Sequence, residues 1–201
     1  MQKNYFYLIA GLLVTLLCFN ACGDDDNDKG NGDGLTTSVD LKPVVLDIPF
    51  SIIQTKADGD AEFYTFSGSY ENLNLDDENF KEIKQYVNVI KNIKVKNISL
   101  KITKQEGTTG GTIVKSFTSK VSGGATAEYS VSEPIDLGES YSDSKLTEYA
   151  LTIVNALKEE KTLSINAAGE TDINPKEVGN EGTVKIETIF TVTVPVKDVI
   201  K

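Results

Sequence analysis

Histidine, tryptophan and arginine are absent from the 201 residues, and the two cysteines, Cys18 and Cys22, both lie near the N-terminus. The absence of histidine excludes a Ser-His-Asp triad, a Cys-His pair and the histidine-containing catalytic zinc sites. The absence of arginine excludes the bidentate guanidinium contacts that proteins use to clamp phosphate and carboxylate groups. The sequence therefore predicts no cofactor and no catalytic centre of these kinds.

Negative charge dominates the composition, with 30 acidic residues against 20 basic ones and a formal net charge of −10 at pH 7. Affinity for nucleic acid and for anionic lipid surfaces depends on clustered lysine and arginine, so a net charge of this sign opposes both. The sequence predicts no nucleic-acid partner.

The first 21 residues have the layout of a secretory signal. Lys3 is the one charged residue before an uncharged, mostly apolar run at positions 5–19, and the small residue Ala21 follows it. A helix that crosses a bilayer needs about 20 apolar residues, so this run is too short for a comfortable span. We therefore interpret residues 1–21 as a signal peptide that is removed.

Cys22 comes directly after this signal, and an acidic patch follows it: Asp24, Asp25, Asp26 and Asp28. This arrangement resembles the lipobox and the acidic export patch of Bacteroidota surface lipoproteins. The resemblance implies that Cys22 is the lipidated first residue of the mature chain and that the four aspartates direct display at the cell surface. It also implies an outer-membrane location, and it leaves no cysteine free to form a disulfide.

Residues 22–37 contain five aspartates and four glycines, and Leu35 is their one aliphatic residue. This composition is typical of a flexible acidic tether. The like charges of the aspartates also favour a solvated spacer, and this interpretation is compatible with an export patch. Residues 38–201 are long enough for one domain with its own core, so we predict a single β-rich domain there.

Alternating apolar residues predict strands over most of this domain, and two segments have helical spacing instead. One helix is predicted over residues 80–93. The other carries Leu146, Tyr149, Ala150, Ile153, Val154 and Leu157 on one stripe, with Ser142, Asp143 or Ser144 as its cap. Residues 94–131, with glycine-rich turns, are predicted to form a three-stranded meander. The predicted fold class is mainly β, or α+β: an antiparallel β-sandwich or curled sheet with two amphipathic helices packed on it.

Two weak motifs point to chemistry. Ser142 and Lys145 have the S-x-x-K spacing of the β-lactamase and penicillin-binding enzymes, but the companion motifs are missing and helix capping explains the serine. Oxygen ligands for calcium are available at Asp58, Asp60, Asp172 and Asn174, but these residue types are also the ordinary residues of turns.

Three hypotheses of function follow. The favoured one is a non-catalytic binding or structural module, anchored to the membrane by lipid on Cys22, with an envelope protein or glycan as partner. The second is a carrier or sensor that holds an apolar or glycan ligand in a groove between sheet and helices. The third is a hydrolase that uses two carboxylates about 5 to 9 Å apart.

Overall fold

The computed structural model describes residues 35–55, 63–104, 113–131, 133–172 and 179–199. They fall into a body, Ser38–Val194, and a small terminal unit that includes residues 35–37 and 195–199. Within the terminal unit, the backbone N–H of Val196 donates to the carbonyl oxygen of Leu35 at 2.8 Å.

The described residues contain ten strands and two α-helices. The strands are β1 (Thr36–Asp40), β2 (Val44–Thr55), β3 (Phe63–Leu73), β4 (Asn92–Lys104), β5 (Ile113–Ser122), β6 (Ala127–Val131), β7 (Ile135–Asp136), β8 (Ser140–Tyr141), β9 (Leu163–Thr171) and β10 (Glu181–Pro195). The helices are α1 (Lys81–Tyr86) and α2 (Ser144–Lys158), and short 3-10 turns cover Glu78–Phe80 and Val196–Asp198.

The strands form one sheet in the order β6-β5-β9-β3-β2-β10-β4-β8, with β1 added to β10 and β7 added to β5. Neighbours along this order are antiparallel. The sheet is curled into a half-barrel, so the predicted fold class, mainly β with two helices, is confirmed, and the curled sheet is the form that it takes.

One face of the curled sheet carries the core. In β10, alternate residues from Gly182 to Val194 are buried, and the residues between them are half-buried. A fully buried aliphatic or aromatic side chain stabilises the fold by about 1.5–3 kcal/mol relative to its exposed state, so this alternation fixes which face of the strand points inward.

Helix α2 covers this inner face and contacts both β4 and β6. All six residues of the predicted stripe are buried, from Leu146 to Leu157, and Ala156 is buried beside them. The prediction of this helix is therefore confirmed, because its apolar stripe fits the 3.6-residue period and faces the sheet.

The first predicted helix is wrong beyond Tyr86. Its α-helical part ends there, and Ile93 lies in β4 as an inward-facing strand residue. The backbone N–H groups of Val89 and Ile90 both bond to the carbonyl of Tyr86, which closes a turn. The segment after Tyr86 is rich in Val and Ile, whose side chains favour strands, so strand pairing competes successfully with the helical spacing.

The predicted meander is correct in its second half only. β5 pairs with β6 as a hairpin, but β4 does not lie next to β5. β5 pairs instead with β9, and β4 pairs with β10. Both of these partners come from the C-terminal part of the chain, so the turns between consecutive strands do not predict them.

Two core phenylalanines lie over glycines of the adjacent strand. Phe66 is in register with Gly169, and Phe50 is in register with Gly182. A Cβ atom on Gly169 would be 2.7 Å from the Phe66 ring, and one on Gly182 would be 2.2 Å from the Phe50 ring. The glycines therefore leave the space that the two rings occupy.

Candidate functional site

Asp143 connects the start of α2 to two tyrosines. It is the N-cap of the helix, in extended conformation, and its Oδ1 accepts a hydrogen bond of 2.6 Å from the backbone N–H of Leu146. Its Oδ2 accepts from the hydroxyls of Tyr129 and Tyr141, each at 3.3 Å. We call Tyr129, Tyr141 and Asp143 the Asp143 cluster. The carboxylate thus serves as a helix cap and as the acceptor for two phenols.

The environment of the cluster keeps both phenols protonated. Burial, together with the negative charge of Asp143, raises the pKa of Tyr129 far above its ordinary value. Burial, followed by the charge of Asp143, also raises the pKa of Tyr141. A phenol whose pKa is raised is a hydrogen-bond donor at neutral pH and a poor nucleophile or base.

A second buried phenol lies next to the cluster on α2. The Tyr149 hydroxyl is 2.6 Å from the hydroxyl of Ser119, which is itself fully buried. Burial raises the pKa of Tyr149 to about 12, although the hydrogen bond to Ser119 acts in the opposite direction. This pair satisfies two polar groups inside an apolar core, where an unpaired hydroxyl is costly.

Five aromatic rings cross the core and end at these phenols. The centroid distances are 4.7 Å from Phe50 to Phe66, 6.4 Å from Phe66 to Phe117, 6.3 Å from Phe117 to Tyr129 and 6.1 Å from Tyr129 to Tyr149. These separations are within the range of favourable aromatic pairs. The row ties β2, β3, β5, β6 and α2 together, so the aromatic side chains build the core.

The same combination of tyrosine and capping aspartate occurs at the Glu78–Phe80 turn. Asp77 caps this turn by accepting from the N–H of Asn79 at 3.0 Å, and its other oxygen accepts from the Tyr70 hydroxyl. The hydrogen bond to Asp77 is the main cause that raises the pKa of Tyr70 to about 12, and burial adds to it. The combination thus occurs at the start of the Glu78–Phe80 turn and at the start of α2, which favours a structural role for the Asp143 cluster.

The S-x-x-K motif of the sequence lies at the exposed start of α2. Ser142 and Lys145 are both exposed, and Asp143 between them provides the cap. Of the three residues predicted as possible caps, the structure selects Asp143. Capping by Asp143 therefore gives this motif a structural explanation.

Replacing Asp143 with alanine is expected to lower the free energy of unfolding by about 2–4 kcal/mol. The loss combines a helix cap, worth about 1 kcal/mol, with a buried Tyr129 hydroxyl left without its acceptor, worth about 1–3 kcal/mol. Urea denaturation followed by circular dichroism measures it. Ser142→Ala is the matched control, because Ser142 is the exposed neighbour. Equal losses in the two variants would show that the cluster does not stabilise α2.

A small recess lies between α2 and the sheet. Its cavity volume is about 10 Å³, and Tyr149, Ile153, Thr188 and Phe190 are among the residues that line it. This is about the space of one water molecule, whereas pockets for small-molecule ligands measure roughly 300–1,000 Å³. The recess does not have room for a lipid chain or a sugar ring.

Most residues of the predicted sites lie outside the described residues: Cys22, Asp24, Asp25, Asp26, Asp28, Asp58, Asp60 and Asn174. Of the calcium candidates, Asp172 is described, and its carboxylate pairs with the ammonium group of Lys115 at 2.5 Å. Within the described parts of the chain, no group of three or more acidic or cysteine side chains is placed to hold a metal ion.

The outer face of the sheet carries a lysine surface that was not predicted from the sequence. We define it as Lys94 and Lys101 of β4 together with Lys185 of β10. Lys101 and Lys185 lie directly opposite each other in the antiparallel register, and Lys94 is opposite Thr191. Ile102 and Leu100, on either side of Lys101, are fully buried, so Lys101 points away from the core. A signal was present in the sequence: positions 83–105 contain six lysines and no aspartate or glutamate.

Comparisons with known proteins leave the family open. No family model matches the chain, and no curated protein matches it. A solved structure titled Desmodium yellow mottle tymovirus is similar over 87% of this chain and 94% of its own chain, at 9% identity and a TM-score of 0.24. A TM-score this low supports no conclusion about fold or function. None of the described helices is long and apolar enough to cross a membrane.

Proposed function

We propose that this protein is a lipid-anchored lipoprotein of the cell envelope, and that its β-rich body is a non-catalytic binding or structural module displayed at the outer membrane. The observation that carries the proposal is the short apolar segment that ends in Ala21 and Cys22 and leads directly into Asp24, Asp25 and Asp26. The acyl chains on Cys22 hold the protein to the membrane, and residues 22–37 link the anchor to the body.

The chemistry of the described body supports a non-catalytic role. The Asp143 carboxylate is engaged by a backbone N–H and two phenols, and Tyr149 and Ser119 bond to each other. These polar groups satisfy one another's hydrogen bonds inside the core and cap a helix. The carrier hypothesis gains no support from the recess beside α2, because its volume is about 10 Å³.

Metabolic labelling with an alkyne analogue of palmitate tests the anchor. The natural chain is expected to incorporate the label and to sediment with the envelope, whereas Cys22→Ala should lose the label and remain as an unprocessed precursor. Cys18→Ala is the matched control, because it removes the other cysteine of the chain and should leave labelling unchanged.

Labelling that persists in Cys22→Ala would overturn the lipid anchor. Display is examined separately with protease added to intact cells. Replacement of Asp24, Asp25, Asp26 and Asp28 by asparagine should leave the palmitate label in place but protect the body from the protease. Unchanged digestion of that variant would show that the acidic patch does not direct display.

A further inference from the structure

We propose that the lysine surface binds the acidic groups of a linear anionic polysaccharide. This inference rests on the proposed function, since it names the partner class for a body displayed at the cell surface. Three features of the described residues support it: the arrangement of Lys94, Lys101 and Lys185, the absence of ion pairs at these lysines among the described residues, and the groups that surround them.

The first observation is the direct opposition of two positive charges. Lys101 and Lys185 form a cross-strand pair on the outer face, and like charges in such positions destabilise a sheet. Asp47 lies opposite Lys185 on its other side, and Glu187 is two residues along β10. Among the described residues, neither carboxylate forms an ion pair with Lys101 or Lys185. The two ammonium groups thus remain available to an external anion.

The second observation is that many other described lysines do have acidic partners. Ion pairs join acidic side chains to Lys42, Lys81, Lys84, Lys96, Lys115, Lys120 and Lys161. Of the fourteen lysines whose side chains the structure describes, seven thus have a carboxylate partner. The three members of the lysine surface are among the seven that have none, so no described carboxylate neutralises their ammonium groups.

The third observation is the linear shape of the surface. Lys94 and Lys101 are seven residues apart on β4, but the residues opposite them, Thr191 and Lys185, are six apart on β10, which gives a distance of roughly 20 Å at the usual rise of a β-strand. A register shift between Ile189 and Phe190 leaves Lys96 as the extra residue, and its ammonium group pairs with Asp40. This arrangement leaves Lys94 and Lys101 as separate contact points along one line, which suits a polymer with repeated acidic groups better than a single small anion.

The surroundings favour a sugar polymer over a nucleic acid. Ser99, Thr103 and Thr183 share the outer face with the lysines and offer hydroxyl groups to sugar hydroxyls. The chain has no arginine for the bidentate phosphate contacts that nucleic-acid-binding proteins use, and its net charge of −10 opposes long-range attraction to any polyanion. Contact is therefore confined to the lysine surface and acts at short range.

Surface-immobilised dextrans provide the test. The purified full-length lipidated protein, in neutral detergent, is passed over dextran sulfate, carboxymethyl dextran and unmodified dextran. Binding is expected to both charged polymers but not to the neutral one, and to weaken by roughly tenfold or more between about 50 and about 200 mM salt, as counterion release requires.

Paired variants then locate the site. The double variant Lys101→Gln and Lys185→Gln is expected to weaken binding by roughly tenfold or more, since two charge-assisted contacts are lost. The matched control is Lys145→Gln with Lys158→Gln, which removes the same charge from two lysines of α2 that also lack an acidic partner, and should change binding by less than about twofold. Removing the opposed charges should leave the melting temperature unchanged or slightly higher.

Equal weakening in both double variants would overturn the inference, because net charge alone would then explain binding. No binding to either charged dextran at about 50 mM salt would overturn it as well. Tighter binding to single-stranded DNA than to dextran sulfate would point to a nucleic acid instead and exclude the polysaccharide. These measurements do not depend on where the lipid directs the protein, so their failure leaves the palmitate result, and with it the lipid anchor, standing.

Discussion

Phe66→Ala is expected to lower the free energy of unfolding by about 3–5 kcal/mol. Phe66 is 2% exposed, and its ring lies 4.7 Å from Phe50 and 6.4 Å from Phe117. Removing the ring breaks the aromatic row and leaves a cavity above Gly169, which cannot fill it because glycine has no side chain. A domain of this size has a total stability of about 5–15 kcal/mol, so the change removes a large part of it.

The loss is measured by urea denaturation followed with circular dichroism and with tyrosine fluorescence. Ile53→Ala on the adjacent strand is the control, because Ile53 is 59% exposed and pairs with Thr65 on the outer face. That variant should cost about 0.5 kcal/mol or less. A similar loss in both variants would mean that the aromatic row contributes no more than an outer-face residue does.

Gly68→Ala is expected to destabilise the fold by about 3 kcal/mol, at the upper end of what overpacking normally costs. A Cβ atom at this position would lie 1.9 Å from the carbonyl oxygen of Pro49 and 2.8 Å from the Cα of Phe50. Both are backbone atoms of β2, so no side-chain rotation relieves the overlap. Strands β2 and β3 must separate locally, which weakens the hydrogen bonds around the pair of Phe50 and Gly68.

Hydrogen exchange locates this effect, and urea denaturation gives its size. Protection should fall first in β2 and β3, while α2 keeps its protection until global unfolding. Ser67→Ala is the matched control, since Ser67 is the exposed neighbour of Gly68 on the same strand. Equal stability of Gly68→Ala and Ser67→Ala would contradict the close approach of β2 and β3 at Gly68.

The elements that the sequence predicts well are those whose pattern is local. The stripe from Leu146 to Leu157 repeats at the helical period over more than three turns, and it forms α2 with those residues buried. The hairpin of β5 and β6 follows from the glycines at 123 and 124, which join two segments of alternating residues. In both cases the residues that define the element lie within 14 positions of one another in the chain.

The parts that the sequence did not predict depend on distant partners. The apolar residues keep helical spacing from Phe80 to Ile93, although Ile93 already belongs to β4, where it pairs with Val192. The place of β9 between β3 and β5 has no local signature at all. The lysine surface illustrates the same limit, because the acid-free stretch is visible in the sequence but the opposition of Lys101 and Lys185 needs the register of β4 on β10.

The position of β10 has a consequence for how this chain reaches its folded state. β10 is the last of the described strands along the sequence, yet it lies between β2 and β4, so that Thr188 pairs with both Val44 and Ile98. A nascent chain that ends before residue 181 leaves β2 and β4 without their shared neighbour, and pairing between such distant segments is slow. The body therefore completes its sheet only after residues 181–195 have been synthesised. Late closure of this kind suits the secretion that we propose for this chain, because an incomplete sheet keeps the polypeptide unfolded during translocation.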